Sequence, residues 1–99
     1  MNINKTIDEN VMTLEIEGRL DTVSAPELET EVEAIPDDIT KLVLDLENLE
    51  YISSAGLRVL LSAHKKMSLR DGMTVKHANE LVMEVFEVTG FSDILDIEE

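Results

Sequence analysis

The segment between Lys41 and Arg70 places the strongest limit on how this chain can fold. Residues 41–46 form a short apolar run of β-favouring side chains, which predicts an interior strand covered on both faces. A short polar turn follows. From about Ser54 to Arg70 apolar residues recur at spacings of three and four, which predicts an amphipathic helix. Two adjacent serines, Ser53 and Ser54, therefore stand where a buried strand passes into a helix.

Strands and helices alternate through the rest of the chain. Apolar and polar side chains alternate weakly in residues 3–7 and clearly in residues 11–17. The two segments predict a hairpin of two strands. Ser24 predicts the start of the first helix, because a serine followed by a glutamate three residues later is a capping signal. A strand over residues 73–77 and a helix capped by Asn79 complete the pattern.

The order of these segments predicts an α/β fold. Strands that alternate with helices are joined by parallel crossovers. We therefore expect a small mixed β-sheet of four to five strands, mostly parallel after the N-terminal hairpin, with helices packed on it. A chain of 99 residues with 43% hydrophobic side chains can bury a single core, so we expect one domain over residues 1–99. The pattern leaves the tail from Phe91 to Ile97 open between a helical turn and a packed edge.

The charge of the chain disfavours two classes of partner. The formal net charge is −14, so nucleic-acid phosphates and anionic lipid head groups repel the chain. We therefore expect no binding to nucleic acid or to membrane surfaces, and because no segment approaches the length needed to cross a bilayer we also expect no direct membrane insertion. Residues 51–77 are the one basic segment, with five basic residues against one acid. The sequence has no cysteine, and its first residues do not resemble a signal peptide, so we expect a cytoplasmic location.

Ser54 is the strongest candidate for a functional residue. The free N–H groups and the positive dipole end at the head of a helix favour a phosphate there. From this chemistry alone, Ser54 is either a phosphate acceptor or a simple helix cap, and Ser53 is a turn or capping residue. Gly56 in the first helical turn indicates that another part of the backbone approaches closely. Leu57 is expected in the core.

The sequence contains no recognisable catalytic apparatus. It has no glycine-rich phosphate loop followed by lysine and no nucleophile elbow, so we expect neither an enzyme nor a cofactor. His64 lies on the apolar side of its helix and is expected to be structural. Nothing in the sequence places a second ligand near His77, so we assign no metal. Lys65, Lys66 and Arg70 are expected to form a solvated helix face.

The chain resembles the STAS family, the sulphate-transporter and anti-sigma-factor-antagonist domains, at the run Tyr51-Ile52-Ser53-Ser54-Ala55-Gly56-Leu57-Arg58. The resemblance also includes the strand and turn from Leu14 to Asp21, the strand from Leu42 to Leu46, and Gly90-Phe91. It covers nearly the whole chain. Within the family, the sequence is similar to the free-standing bacterial anti-sigma factor antagonists.

The resemblance implies a cycle of partner switching. In such systems a serine kinase that is also an anti-sigma factor phosphorylates the antagonist on the turn serine, and a metal-dependent serine/threonine phosphatase removes the phosphate. The unmodified antagonist binds the kinase and frees a sigma factor. Aligned on Gly56-Leu57, the acceptor falls at Ser54. The family often has an aspartate where this chain has Ser53 and a hydroxyl residue where it has Ala55, so Ser53 stays a candidate secondary acceptor.

The resemblance further implies a partner-binding face that joins the loop after the second strand to the serine turn. Its expected residues are Arg19, Asp21, Thr22, Ser53, Ser54, Ala55, Gly56, Leu57 and Arg58. From the residues alone, the loop with Asp21 and Thr22 is a solvated turn; Asp21 is also a candidate to replace the missing aspartate. Two other functions stay open: a STAS scaffold subunit of a membrane lipid- or anion-transport assembly, and a small-ligand or nucleotide-binding module.

Overall fold

The computed structural model describes residues 1–98 and contains a six-stranded mixed sheet with three α-helices. The order is β1 (Asn2–Asp8), β2 (Val11–Leu20), α1 (Ala25–Glu33), β3 (Lys41–Asp45), β4 (Leu49–Ile52), α2 (Ser54–Ser68), β5 (Met73–Lys76), α3 (Glu80–Thr89), a 3-10 turn (Phe91–Asp93) and β6 (Asp96–Glu98). β1 and β2 form an antiparallel hairpin, and every other pairing is parallel. The predicted α/β fold with a mostly parallel sheet is confirmed.

The sheet has more strands than the four to five that the sequence predicted. β4 lies where a polar turn was expected, and it pairs with the end of β2 after an irregularity between Gly18 and Arg19. β6 pairs with β5, so the tail contains both a helical turn and an edge strand. These two strands are four and three residues long, too short for a period of two to be recognised.

One face of the sheet carries the core. In β2 and β3 alternate residues are buried and most of the residues between them are half-buried. The buried set is Met12, Leu14, Ile16, Leu20, Leu42 and Leu44. All three helices add apolar side chains to the same cluster. The prediction that residues 41–46 are covered on both faces is therefore wrong: β3 is interior in strand order, but Lys41, Val43 and Asp45 reach its more open face.

The helices begin and end close to the predicted signals. Asn79 caps α3 by accepting a hydrogen bond from Val82 N at 2.8 Å, and Gly90 takes a left-handed φ of 82° after the last turn. Ser24 precedes α1 as predicted, but its side chain makes no capping hydrogen bond. Among the described residues, none of these helices combines the length and the apolar character needed to cross a membrane.

Candidate functional site

The carboxyl ends of β2 and β4 lie side by side and bring two loops together. The backbone N–H of Ser53 donates to the carbonyl of Leu20 at 2.9 Å, so the chain that leaves β4 is fixed to the last residue of β2. The loop after β2 and the start of α2 are therefore neighbours. We call this surface, made of residues 19–24 and 53–58, the switch face.

The two serines of the switch face have different environments. Ser53 is the N-cap of α2: its backbone is extended and its hydroxyl oxygen accepts a long hydrogen bond from Gly56 N at 3.5 Å. Ser54 is the first residue of α2 and is exposed. Within residues 1–98 its hydroxyl makes no hydrogen bond. The capping role that the sequence left open for Ser54 thus belongs to Ser53, and the Ser54 hydroxyl faces solvent.

Gly56 is the point at which α2 packs against β2 and β4. A β-carbon at this position would lie 2.7 Å from Leu20 Cγ, 2.9 Å from Ile52 Cγ1 and 3.0 Å from the Leu20 carbonyl oxygen. The predicted close approach is confirmed, as is the core position of Leu57, which is 6% exposed. Ala55 is half-buried, whereas Arg58, one turn after Ser54, is exposed. Close packing on the inner side therefore fixes the start of α2 in place.

Hydrogen bonds around Asp21 close the loop after β2. Asp21 Oδ1 accepts from the backbone N–H groups of Val23 at 3.0 Å and Ser24 at 3.1 Å. The Ser24 hydroxyl accepts from Asp21 N at 2.9 Å and donates to the Arg19 carbonyl at 2.7 Å. The hydrogen bond from the Ser24 backbone is the main reason that the pKa of Asp21 lies below its usual value. This carboxylate is therefore occupied in shaping the loop.

Arg19 at the end of β2 and Thr22 and Val23 in the loop that follows lie on the outer surface of this region. The Arg19 guanidinium lies 4.4 Å from the centroid of the Tyr51 ring, and its Nε lies 3.9 Å from Asp21 Oδ2. Thr22 is exposed, and Val23 is 88% exposed. Sequence reasoning missed Val23, because a single apolar residue at the surface is common and carries no signal by itself.

Two basic residues of the α2 segment are structural, contrary to the prediction of a solvated face. Lys66 Nζ donates to two carbonyl oxygens at the end of α1, at 2.9 and 3.3 Å. Arg70 Nη1 donates to two carbonyl oxygens of the segment between α1 and β3, at 2.9 and 2.7 Å, and Nη2 lies 3.3 Å from Asp37. The prediction agrees with the structure only at Lys65, which is exposed. Lys66 thus lies at the carbonyl end of α1, where a cation is favourable, and Arg70 joins the end of the α2 segment to the chain between α1 and β3.

His77 has neighbours that the sequence did not reveal. It follows β5 with a left-handed φ of 62°, and its Nδ1 lies 3.0 Å from Asp45 Oδ1 at the end of β3. Glu47 lies close to both side chains. The prediction that nothing places a second ligand near His77 is therefore wrong, since the pairing of β3 with β5 aligns distant parts of the chain. His64 is half-buried on α2, as expected for a structural residue.

The Asp45 carboxylate is held in its charged form. Burial acts to raise its pKa, but hydrogen bonds from His77 and from the Glu47 backbone, with the nearby charges of His77 and Lys76, lower the pKa below the usual value. Asp45 is therefore ionised at neutral pH.

Known proteins resemble this chain over its full length. The STAS domain family matches residues 2–99. The anti-sigma-B factor antagonist of Bacillus subtilis (strain 168) is 30% identical over 100 residues, which cover 98% of this chain and 92% of that protein. The crystal structure of an anti-sigma factor antagonist from Mycobacterium paratuberculosis superposes with a TM-score of 0.87 at 25% identity, over 97% of this chain and 83% of that one.

The Bacillus cell fate determinant SpoIIAA shares the fold. Its phosphorylated form superposes with a TM-score of 0.76 at 13% identity, over 99% of this chain and 92% of that one. Its unphosphorylated form superposes with a TM-score of 0.77 at 12% identity, over 99% of this chain and 88% of that one. At such identities the likeness is one of fold. Taken with the match over residues 2–99 and the strand order described above, these comparisons show that the chain belongs to the STAS domain family.

Proposed function

We propose that this protein is an anti-sigma factor antagonist that works by partner switching. In its unmodified form the switch face binds an anti-sigma factor that is also a serine kinase, and a sigma factor is thereby freed. Phosphorylation of Ser54 ends the complex, and a metal-dependent serine/threonine phosphatase restores it. The protein is then a cytoplasmic regulator on which enzymes act, without a catalytic site of its own. The exposed Ser54 hydroxyl at the head of α2 is the observation that carries this proposal.

One relative supports the assignment, and a second protein shares the fold. The Bacillus subtilis protein that is 30% identical over almost the whole chain is named an anti-sigma-B factor antagonist. SpoIIAA, which has the same fold, has been solved both with and without phosphate. An anti-sigma factor is therefore the class of partner that we assign to the switch face.

The surroundings of Ser54 suit a residue that receives a phosphate. In the transfer, Ser54 Oγ attacks the γ-phosphorus of ATP bound to the partner, the bond to the bridging oxygen breaks, ADP leaves, and a base of the partner takes the hydroxyl proton. The first turn of α2 carries no acidic side chain. Arg58 lies four residues further on the same side of the helix, within reach of a phosphate on Ser54.

Ser53 is the weaker acceptor of the two. Its hydroxyl oxygen faces Gly56 N as the helix cap, and the same residue is fixed to Leu20 through its backbone. A kinase would have to remove the cap in order to reach this oxygen. Losing a serine cap costs about 1 kcal/mol, so phosphate transfer to Ser54 is favoured.

The added charge explains why phosphorylation would end the complex. A phosphate brings about −1.5 to −2 charges to a surface that met its partner as a neutral hydroxyl. Arg58 can offset only part of this charge, and burying the rest in the complex without cations from the partner costs several kcal/mol. Each 1.4 kcal/mol changes affinity about tenfold, so one phosphate is enough to separate the two proteins, and the fold itself need not change.

Incubation with the cognate anti-sigma factor kinase and Mg-ATP, followed by mapping of the modified peptide by mass spectrometry, tests the proposal. We expect one phosphate on the wild-type chain and none on Ser54→Ala. Ser53→Ala is the matched control, because it removes the neighbouring hydroxyl and should still accept phosphate at Ser54. Circular dichroism checks that both variants are folded. Unchanged modification of Ser54→Ala would contradict the assignment.

A further inference from the structure

We propose that Asp45, Glu47 and His77 form a binding site for a divalent transition-metal ion, for which Zn²⁺ is the probe. Each residue offers one ligand atom, and these atoms all lie within 4.8 Å of one another. The site lies outside the switch face, so the inference does not depend on the proposed function.

The framework of the site is the paired ends of two neighbouring parallel strands. Asp45 is the last residue of β3 and stands in register with Lys76, the last residue of β5. The Leu46 backbone N–H donates to the Lys76 carbonyl at 2.9 Å, which extends the pairing past the strand ends. His77 follows directly, so its ring is brought to Asp45 by the backbone. Asp45 and His77 are thus held side by side by the paired strand ends and need little rearrangement to bind an ion together.

The distances suit coordination of one ion by two of the ligands. Asp45 Oδ1 and His77 Nδ1 are 3.0 Å apart. Two ligands bound to Zn²⁺ at about 2.0–2.1 Å each and at the tetrahedral angle are separated by about 3.3 Å. An ion can therefore enter between these atoms with a small displacement if the imidazole proton is on Nε2. The exposed Glu47 side chain supplies the third ligand, and water fills the remaining positions.

The charge around the site also favours a cation. The cross-strand row that contains Asp45 on the open face of the sheet has Asn4 and Glu15 on one side of it and Lys76 and Glu98 on the other. Three carboxylates in this row stand beside one ammonium group, and Glu47 adds a further carboxylate close by. Like charges placed side by side in a sheet repel one another. A bound divalent cation would relieve that repulsion.

The ligand types select the class of ion. One imidazole nitrogen with two carboxylate oxygens suits zinc and the neighbouring divalent transition ions. Calcium and magnesium prefer a shell made of oxygen alone. The exposed, three-ligand arrangement indicates a site that binds and releases its ion, rather than a closed site on which folding depends.

Titration of the untagged chain with ZnCl₂ tests the site by calorimetry and by NMR of the imidazole resonances. We expect one ion per chain, with a shift of the His77 resonances and none of His64, the second histidine, on α2. Ca²⁺ at the same concentration should leave the His77 resonances unchanged. No saturable binding, or equal shifts at both histidines, would overturn the proposal.

Substitutions distinguish binding of Zn²⁺ at these three residues from its nonspecific attraction to an acidic protein. His77→Gln and Asp45→Asn should each lower the Zn²⁺ affinity by about tenfold or more, equal to a loss of about 1.4 kcal/mol. Glu29→Gln is the matched control, because it removes an exposed carboxylate on α1 and should leave the affinity unchanged. Dispersed amide spectra would show that each variant is folded. An affinity that His77→Gln does not lower would show that the ion binds elsewhere.

Discussion

The two ends of the α2 segment use their polar groups in opposite ways. After its carboxyl end, the Arg70 side chain is only 19% exposed and bonds to carbonyl oxygens between α1 and β3. At the amino end, Ser54 and Arg58 are exposed, and neither side chain makes a hydrogen bond or ion pair within the described residues. The polar side chains thus anchor the segment at its carboxyl end and are left unengaged at its amino end. This contrast predicts that replacing the polar side chains changes stability at the carboxyl end and binding at the amino end.

The largest effect is expected from a charge at the amino end. Ser54→Asp should lower affinity for the anti-sigma factor by about a hundredfold, because a carboxylate that only Arg58 offsets, once buried in a complex, costs several kcal/mol. The melting temperature should stay within a few degrees of wild type, since an acid is favourable in the first turn of a helix. Calorimetry with the partner measures the affinity. Ser54→Asn is the neutral control of similar size, and equal binding by the aspartate and wild-type chains would refute charge exclusion.

The inner side of the amino end is packed against the sheet at Gly56. Gly56→Ala places a methyl group against Leu20 and Ile52 at less than 3.0 Å, and should lower the free energy of unfolding by about 2–3 kcal/mol. The better helix propensity of alanine offsets only about 1 kcal/mol. Urea denaturation measures the change. Ser62→Ala, at an exposed position of the same helix, should unfold like wild type. A Gly56→Ala chain as stable as wild type would show that the contact is readily relieved.

Two arginines provide a direct test of the contrast. Arg70→Met keeps an apolar stem but removes the side-chain donor of the Ile39 carbonyl oxygen and leaves the Pro36 carbonyl oxygen with its backbone donor alone, so it should lower the free energy of unfolding by about 1–2 kcal/mol. Arg58→Met removes an exposed cation and should change the free energy of unfolding by less than about 0.5 kcal/mol. Thermal unfolding of both variants gives the comparison. Equal losses would mean that the hydrogen bonds of Arg70 contribute no more to stability than the exposed Arg58 side chain does.

Much of the fold could be predicted because its signals are local. The alternation of β2, the stripe of α2 and the cap at Asn79 each depend on residues close in sequence, and all three agree with the structure. The additional strands could not be predicted, because their pairing depends on where β2 and β5 end in space. The more open face of β3 was missed for a similar reason: Val43 extends the apolar run but is only half-buried.

In the candidate site, too, local features could be predicted from the sequence and contacts between distant residues could not. The sequence placed two serines at the head of a helix, but the backbone angles of one residue decide that Ser53 caps it and Ser54 does not. Arg70 was misassigned because its acceptors are about thirty residues away in sequence. His77 and Asp45 were not connected, since only the register of β3 and β5 joins them.

The smallest expected effect concerns Asp21 in the loop beside the amino end of α2. Unlike Ser54 and Arg58, this side chain is engaged in hydrogen bonds, so it should change how stability depends on pH. The pKa of Asp21 is lower in the folded chain than its usual value of 3.8, because backbone N–H groups bond to the ionised carboxylate. A depressed folded pKa adds stability that is present above the unfolded pKa and is lost as pH falls through the folded one. Asp21→Asn can still accept these hydrogen bonds but does not titrate, so its stability should fall less steeply below about pH 4. Urea midpoints from about pH 6 to about pH 3 measure the slope, and Asp38→Asn corrects for the loss of one charge. If Asp21→Asn and wild type have the same slope, the hydrogen bonds of this loop do not favour the ionised carboxylate, and only its geometry can contribute to the switch face.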